Sequence, residues 1–348
     1  MTDSVLPIIR PMTLAELLDR SIRLYRQNFV KFIGIFAIPY IPLMILQGGL
    51  SFFTSTSVLG GINSDRTNPF TSDMMIATLG SFIFVFVQFI LVRGVATAAL
   101  TRAVANNYTG RPVGILDSYR TLSTSWLRLI LALVVVFIMV IFLSIWMIIP
   151  CVGWFSGPGI LFFIGLVVSP LIAPIISLEK AGVLSSIRRA WDLARSRFWW
   201  LVGCAFVLTL LGQLIVTGPV YLLSFILQAA FSSLPGTVEQ QLAFTTIIQT
   251  LITMSMSLLY IPLQLTVMTV VYFDLRARAE GLDLAMQMSG NAGSENETIN
   301  LPEISNNKSS MPLITGMDIG RFALLSLAGI AVYALIISLI FLVGMAAL

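Results

Sequence analysis

The chain has 348 residues, of which 57% are hydrophobic and only 10% are charged, and its mean hydropathy is +0.95. A water-soluble domain of this length would carry far more charge, so the composition predicts an integral membrane protein. Histidine is absent, and the two cysteines are Cys151 and Cys204. These counts exclude a disulfide scaffold, a zinc site of Cys and His ligands and any histidine-dependent triad. We expect no cofactor and no metal.

Uncharged stretches predict where the chain crosses the membrane, because a helix needs about 20 apolar residues to cross a hydrocarbon core of about 30 Å. They give six spans in three hairpins. The first hairpin pairs 32–51 with 74–97, and the third pairs 198–217 with about 246–273. The second pairs 129–149 with a span in the remainder of the uncharged run before Glu179. The Gly- and Pro-rich residues 150–159 predict the turn of the second hairpin. The uncharged stretch 218–234 is too long for a bare turn and predicts an interfacial or re-entrant piece. A seventh span, 322–348, is predicted to stand apart.

The basic residues predict the orientation, because cytoplasmic loops carry the excess of Lys and Arg. Alternate loops hold nearly all of them, whereas the opposite side has only Arg66. Arg93 lies near the inner end of its span, where a long side chain can reach the interface. We therefore expect a multi-pass protein of a bacterial inner or plasma membrane with a cytoplasmic N-terminus.

The segment before the first span has the pattern of a basic amphipathic helix. Thr13 and Glu16 predict a capping box that starts it. Its apolar positions share one helical face, and they are Leu14, Leu17, Leu18, Ile22, Tyr25 and Phe29. Such a helix beside a span is expected to lie in the headgroup plane, with its apolar side buried in lipid.

The same unit of amphipathic helix, span, outer turn and span is predicted to occur three times. The pairs Leu18/Ile187, Ile22/Trp191 and Arg26/Arg195 match in type between the first and third cytoplasmic segments, and the second segment, 111–126, matches more faintly. The predicted repeats are about 10–105, 106–180 and 181–285, within a membrane domain of residues 1–288. The polar residues 289–318 predict a flexible linker to a C-terminal transmembrane helix at 319–348.

Three stretches resemble the membrane domain of bacterial glycerophosphoryl diester phosphodiesterases. They are the first amphipathic helix with its preceding Arg10-Pro-Met-Thr, the segment Arg188-Arg-Ala-Trp-x-x-Ala-Arg-x-Arg-Phe-Trp, and the segment Tyr272-Phe-Asp-Leu-Arg-Ala-Arg-x-Glu-Gly-Leu-Asp. The resemblance covers roughly residues 8–288. It implies the multi-span body and a link to phospholipid headgroups or to an envelope partner. It does not imply hydrolysis, because the catalytic barrel of those enzymes is a separate soluble domain that this chain has no room for.

Two functions compete at the level of sequence. The first is a non-enzymatic scaffold that senses or organises anionic lipid and binds an envelope protein partner. Its candidate headgroup contacts are Arg20, Arg23, Arg120, Arg188, Arg189 and Arg195. The simpler explanation of these arginines is that they set the orientation of the spans and anchor the helix ends at the membrane interface. The second function is a transporter or channel for a small or amphipathic solute, which would line a polar path with the glutamines and prolines of the spans.

Enzymatic and nucleic-acid functions have weaker support. An enzyme acting on lipid headgroups would need a carboxylate cluster, and the outer face offers only Asp65, Asp73 and Glu239 without a recognisable motif. Asp192 and Asp274 sit beside arginines and are more simply explained as ion-paired. The net charge of +4 is accounted for by the cytoplasmic loops, so we expect no nucleic-acid partner.

Overall fold

In a computed structural model, the protein is an all-helical membrane protein. The structure describes residues 12–64, 72–110, 114–120, 122, 124–149, 152–179, 181–231, 238–281 and 315–346, and these contain no strand. Six helical stretches among them are long and apolar enough to cross a membrane: Phe29–Thr54, Met75–Tyr108, Ser125–Trp146, Gly153–Glu179, Phe198–Leu227 and Phe244–Glu280. The prediction of a multi-pass helical membrane protein is thereby confirmed. The seventh span stays a prediction.

The helices are numbered in chain order. They are α1 (Leu14–Gln27), α2 (Phe29–Ser64), α3 (Ser72–Gln88), α4 (Thr97–Tyr108), α5 (Ile115–Arg120), α6 (Ser125–Trp146), α7 (Val152–Phe162), α8 (Ser169–Glu179), α9 (Val183–Ser196), α10 (Phe198–Gly212), α11 (Gly218–Phe231), α12 (Val238–Glu280) and α13 (Gly316–Ala346). Three π-helical turns, Phe89–Ala96, Phe163–Val168 and Gln213–Thr217, join α3 to α4, α7 to α8 and α10 to α11.

The most completely buried helices, α4 and α8, meet the last turns of α12 at one end of the bundle. We call this the charged end, and its helix termini are Tyr108, Glu179 and Glu280. The α4 helix is rich in alanine, and its small side chains let the three helices approach closely. Most of α4 and α8 is buried, and the Tyr108 ring stacks on Phe273 of α12 at a centroid distance of 5.2 Å.

The helices predicted to be amphipathic cover this core in a cyclic order. Helix α5 packs on α4, α9 packs on α8, and α1 packs on α12. Each covers the end of the helix that closes the preceding predicted repeat, and α1 closes the ring. This arrangement is what a threefold internal repeat would produce.

Helix α1 packs lengthwise against α12, and its position in the headgroup plane stays a prediction. The backbone N–H of Met12 donates to Asp274 at 2.8 Å, and the Tyr25 hydroxyl donates to the Leu259 carbonyl at 2.8 Å. Those two acceptors are about 22 Å apart along α12, nearly the length of α1 itself. The first helix therefore runs antiparallel to α12, with Leu17 and Tyr25 of its apolar face buried against protein and Ile22 left exposed.

One predicted break is continuous helix, and one predicted turn is shorter than expected. The stretch that begins at Gly218 and Pro219 is α11, which continues α10 through a π-helical turn rather than forming a separate interfacial or re-entrant piece. The missing N–H of Pro219 is tolerated because it falls in the first turn after the π-helical segment. The turn of the second hairpin is also shorter than predicted, since Gly153, Gly157 and Gly159 lie inside α7.

The C-terminal helix α13 packs along α7 instead of standing apart. A Cβ on Gly159 would overlap the Phe322 carbonyl oxygen, so only glycine allows this approach. The Gly159 N–H donates to the Ser326 hydroxyl at 2.7 Å. The Phe322 ring lies within 6 Å of the rings of Phe163, Trp191 and Phe198. The start of α13 is thus part of the core.

Candidate functional site

The last turns of α12 carry charged side chains on two faces. Tyr272, Arg276 and Glu280 are spaced four residues apart and share one face. Asp274 and Arg278, also four apart, share another. Because the two sets point to different neighbours, the motif that begins at Tyr272 holds two separate polar contacts at the charged end.

The first contact is a buried ion cluster of Glu179, Arg189, Tyr272, Arg276 and Glu280. The Arg276 side chain is 2% exposed, and its Nε donates to Glu280 at 2.8 Å. The Tyr272 hydroxyl donates to Glu179 at 2.6 Å, and Arg189 of α9 pairs with both Glu179 and Glu280. Two arginines and two glutamates balance in charge, and the cluster joins α8, α9 and α12.

The second contact holds the start of α1 on α12. Asp274 is 1% exposed and accepts from the Met12 N–H at 2.8 Å. Arg278 donates to the Met12 carbonyl at 2.6 Å and to Asp274 at 2.9 Å. The expected capping box is present as well, because Thr13 and Glu16 each accept from the other's backbone N–H. The expected ion pairing of Asp274 with an arginine is also present.

A third polar contact fixes α13. Thr315 donates to Asp318 from both its N–H and its hydroxyl, at 2.9 and 2.6 Å. Arg195 of α9 pairs with the same carboxylate at 2.8 Å, and Asp318 is only 3% exposed. Burial by itself raises the pKa of Asp318, but the Thr315 hydrogen bonds and the charges of Arg195 and Arg321 outweigh it. The pKa therefore lies below its ordinary value.

The six predicted headgroup arginines do not share one surface. Arg189 and Arg195 are mostly buried in the ion pairs described above. Arg20 packs over the Tyr108 ring at 4.7 Å. The exposed ones are Arg23, paired with Asp19 at 2.7 Å, and Arg120, 3.9 Å from Asp117. Arg188, on α9, also faces outward.

A cleft of about 500 Å³ opens between α1 and the end of α4. Arg20, Arg23, Asn107 and Tyr108 line it, together with Glu16 and Asp19. Its cationic and anionic side chains are equal in number, and the Asp19 carboxylate is already paired with Arg23. The cleft therefore offers hydrogen-bond donors without an excess of positive charge.

The residues that would carry the competing functions are only partly described. Gln249 donates to Ser224 at 2.8 Å, an ordinary hydrogen bond between α11 and α12. The side chains of Asp65, Asp73 and Glu239 lie outside the described residues. Among the residues that the structure does describe, no group of three or more acidic or cysteine side chains comes together. The observed chemistry at the charged end is that of ion pairs between helices.

Sequence reasoning missed the ion cluster and the Thr315 cap. The four-residue spacing of Tyr272, Arg276 and Glu280 was a usable signal, because it places three polar side chains on one face of an otherwise apolar helix. The Thr-x-x-Asp spacing before the last apolar run was another, since it predicts a helix start in the same way as Thr13 and Glu16.

No family model, curated protein or solved structure matches the chain. The resemblance to the phosphodiesterase membrane domain is therefore a hypothesis that rests on the three quoted stretches alone.

Proposed function

We propose that the protein is a non-enzymatic membrane module that scaffolds an envelope partner and organises anionic lipid around its charged end. The observation that carries this proposal is how the charged end uses its ionic groups. Glu179 and Glu280 pair with arginines of α9 and α12, and Asp318 of α13 pairs with Arg195 of α9, so these carboxylates hold helices together. A rigid helical platform is what this arrangement produces.

The lipid part of the proposal is supported by the arginines that stay on the surface. The side chains of Arg23 and Arg120 are 68% and 80% exposed. Exposed ion pairs of this kind are weak in water, so their guanidinium groups can exchange a carboxylate for a lipid phosphate. A basic group near an anionic leaflet contributes about 1 kcal/mol.

The test compares lipid enrichment around two matched double variants. The protein is reconstituted in nanodiscs of phosphatidylcholine mixed with phosphatidylglycerol, and the retained lipids are counted by native mass spectrometry. Replacing Arg23 and Arg120 by Gln should lower phosphatidylglycerol enrichment by up to about 30-fold, the equivalent of about 2 kcal/mol. Replacing their partners Asp19 and Asp117 by Asn should raise it. Equal enrichment in all three proteins would contradict a lipid-organising role.

The alternative of a transporter or channel makes a different prediction. A solute path would show as flux across liposomes that depends on the span glutamines. Flux that disappears in Gln213→Leu while lipid enrichment is unchanged would favour that alternative.

A further inference from the structure

Arg93 is a charged residue on an apolar helix, in the π-helical turn Phe89–Ala96 between α3 and α4. Its neighbours Val92 and Gly94 are buried, whereas Arg93 itself is exposed on the outer surface of the bundle. Turns of the π type often occur at functional sites, because they re-aim a side chain at the cost of regular hydrogen bonding. The question is what Arg93 faces.

The π-helical turn is stabilised without any contribution from Arg93. The Thr97 backbone N–H and the Thr97 hydroxyl both donate to the Val92 carbonyl, the hydroxyl at 2.9 Å. In the part of the chain that the structure describes, Arg93 makes no hydrogen bond and no ion pair. This sets it apart from Arg189, Arg195 and Arg276, each of which has a carboxylate partner. The polar contacts of the described residues therefore assign Arg93 no role in holding helices together.

The packing of Gly94 fixes the level of Arg93 in the bundle. A Cβ on Gly94 would lie 2.5 Å from the Ile130 side chain and 3.8 Å from the Trp126 carbonyl oxygen. Gly94 is therefore pressed against the first turns of α6, where Trp126 and Arg128 are located. Tryptophan and arginine at the start of an apolar helix are typical of the membrane interface.

The length of the helical stretch that contains Arg93 also places this residue at the membrane interface. The stretch Met75–Tyr108 has 34 residues and is about 51 Å long, some 20 Å more than the hydrocarbon thickness. The segment from Met75 to Val92 carries no charge and covers about 27 Å, close to that thickness. The segment beyond Gly94 is α4, the buried helix of the charged end. Arg93 thus stands at the boundary between hydrocarbon and headgroups.

We propose that Arg93 binds the phosphodiester group of a membrane glycerophospholipid. At this depth a guanidinium group without a carboxylate partner needs an anion, and the lipid phosphate is the anion present at that boundary. The phosphodiester is common to neutral and anionic glycerophospholipids, so Arg93 would hold a lipid whatever its headgroup. This inference deepens the proposed function and rests on it, because it names a lipid contact of the same module.

The experiment uses nanodiscs of pure phosphatidylcholine and counts the lipids that stay bound by native mass spectrometry. Arg93→Gln should weaken retention of one lipid by about fivefold, and Arg93→Lys should recover most of it. The matched control is Arg26→Gln, an exposed arginine of α1 that is not among the candidate headgroup contacts and should retain phosphatidylcholine normally. Because Arg93 makes no hydrogen bond and no ion pair with the described residues, Arg93→Gln should keep the melting temperature of the parent protein.

The outcomes separate this site from the proposed function. Lipid loss in Arg93→Gln, with no effect of Arg23 and Arg120 on phosphatidylglycerol enrichment, would uphold the site and contradict the wider lipid-organising role. Equal phosphatidylcholine retention in Arg93→Gln and the parent protein would overturn the site alone. Tight binding of inorganic phosphate to the detergent-solubilised protein, lost in Arg93→Gln, would also overturn it, because the ligand would then be a soluble anion.

Discussion

The two ends of the bundle treat the same residue type in opposite ways. At the charged end, the aromatic side chains of Tyr108, Tyr272 and Phe273 are buried. Toward the other end, Phe82, Phe142 and Phe225 are largely exposed. Side chains that face lipid gain nothing from burial against protein, because lipid tails are as apolar as a protein core. The charged end is packed like a soluble protein because its helices extend beyond the hydrocarbon, where burial again removes apolar surface from water.

The difference between the ends also decides where ion pairs occur. The buried pairs of Arg189 with Glu280 and of Arg195 with Asp318 join helices from different parts of the chain, whereas the Arg276–Glu280 pair lies within α12. The two pairs between helices fix which helix packs on which, whereas the described contacts toward the other end are apolar or, like that of Gln249 with Ser224, small and polar. The predictions below test this contrast, starting with the change expected to have the largest effect.

Arg276→Ala should be the most destabilising single change. It leaves Glu179 and Glu280 buried with half of their positive partners removed, and breaking a buried pair in this way costs about 3 to 5 kcal/mol. The measurement is the thermal unfolding of the detergent-solubilised protein. The exposed Arg23→Ala, with a pair contributing about 0 to 1 kcal/mol, is the control. Equal melting temperatures for the two variants would mean that the cluster does not stabilise the charged end.

Gly159→Ala should displace α13 from α7. The added Cβ would overlap the Phe322 carbonyl oxygen, and overpacking at such a site costs about 1 to 3 kcal/mol. We expect faster hydrogen exchange in the first turns of α13. Gly165→Ala is the matched control, because a Cβ there meets no atom within 4 Å. Unchanged exchange in both variants would contradict the close packing of α13.

Asp318→Asn should loosen the same helix to a smaller extent. The change removes the negative charge that pairs with Arg195 and Arg321 but keeps a side chain that can still accept from Thr315. We therefore expect it to destabilise the start of α13 by about 1 to 2 kcal/mol. The lowered pKa of Asp318 adds a dependence on pH. A lowered pKa stabilises the folded protein above the carboxyl's ordinary pKa, and this contribution is lost as acid protonates it. Hydrogen exchange at α13 should therefore be steady near neutral pH and rise only in strong acid.

Local features of this fold could be predicted from the sequence, and long-range ones could not. The six apolar helices and the Thr13 capping box follow from composition and from spacing within one helix. The contact of Arg189 with Glu280 joins residues 91 positions apart, and no local pattern reports it. The docking of α13 on α7 is not predicted for a similar reason, since a polar linker predicts a helix that is separate from the other six. The Gly218-Pro219 pair misled because a π-helical turn can absorb a proline that would otherwise end a helix.

Thr13→Ala should have the smallest effect on the free energy of unfolding. The size of this effect depends on the contact of Asp274 and Arg278 with the start of α1. Loss of an N-cap costs typically about 1 kcal/mol. Here the start of α1 is also held by Asp274 and Arg278, which bind the Met12 backbone, so the single change should cost less than that. In an Arg278→Gln background the same change should cost more, because the two contacts hold one helix start. Additive losses in thermal unfolding would show that the cap and the α12 contact act independently, and α1 would then be fixed mainly by its apolar face.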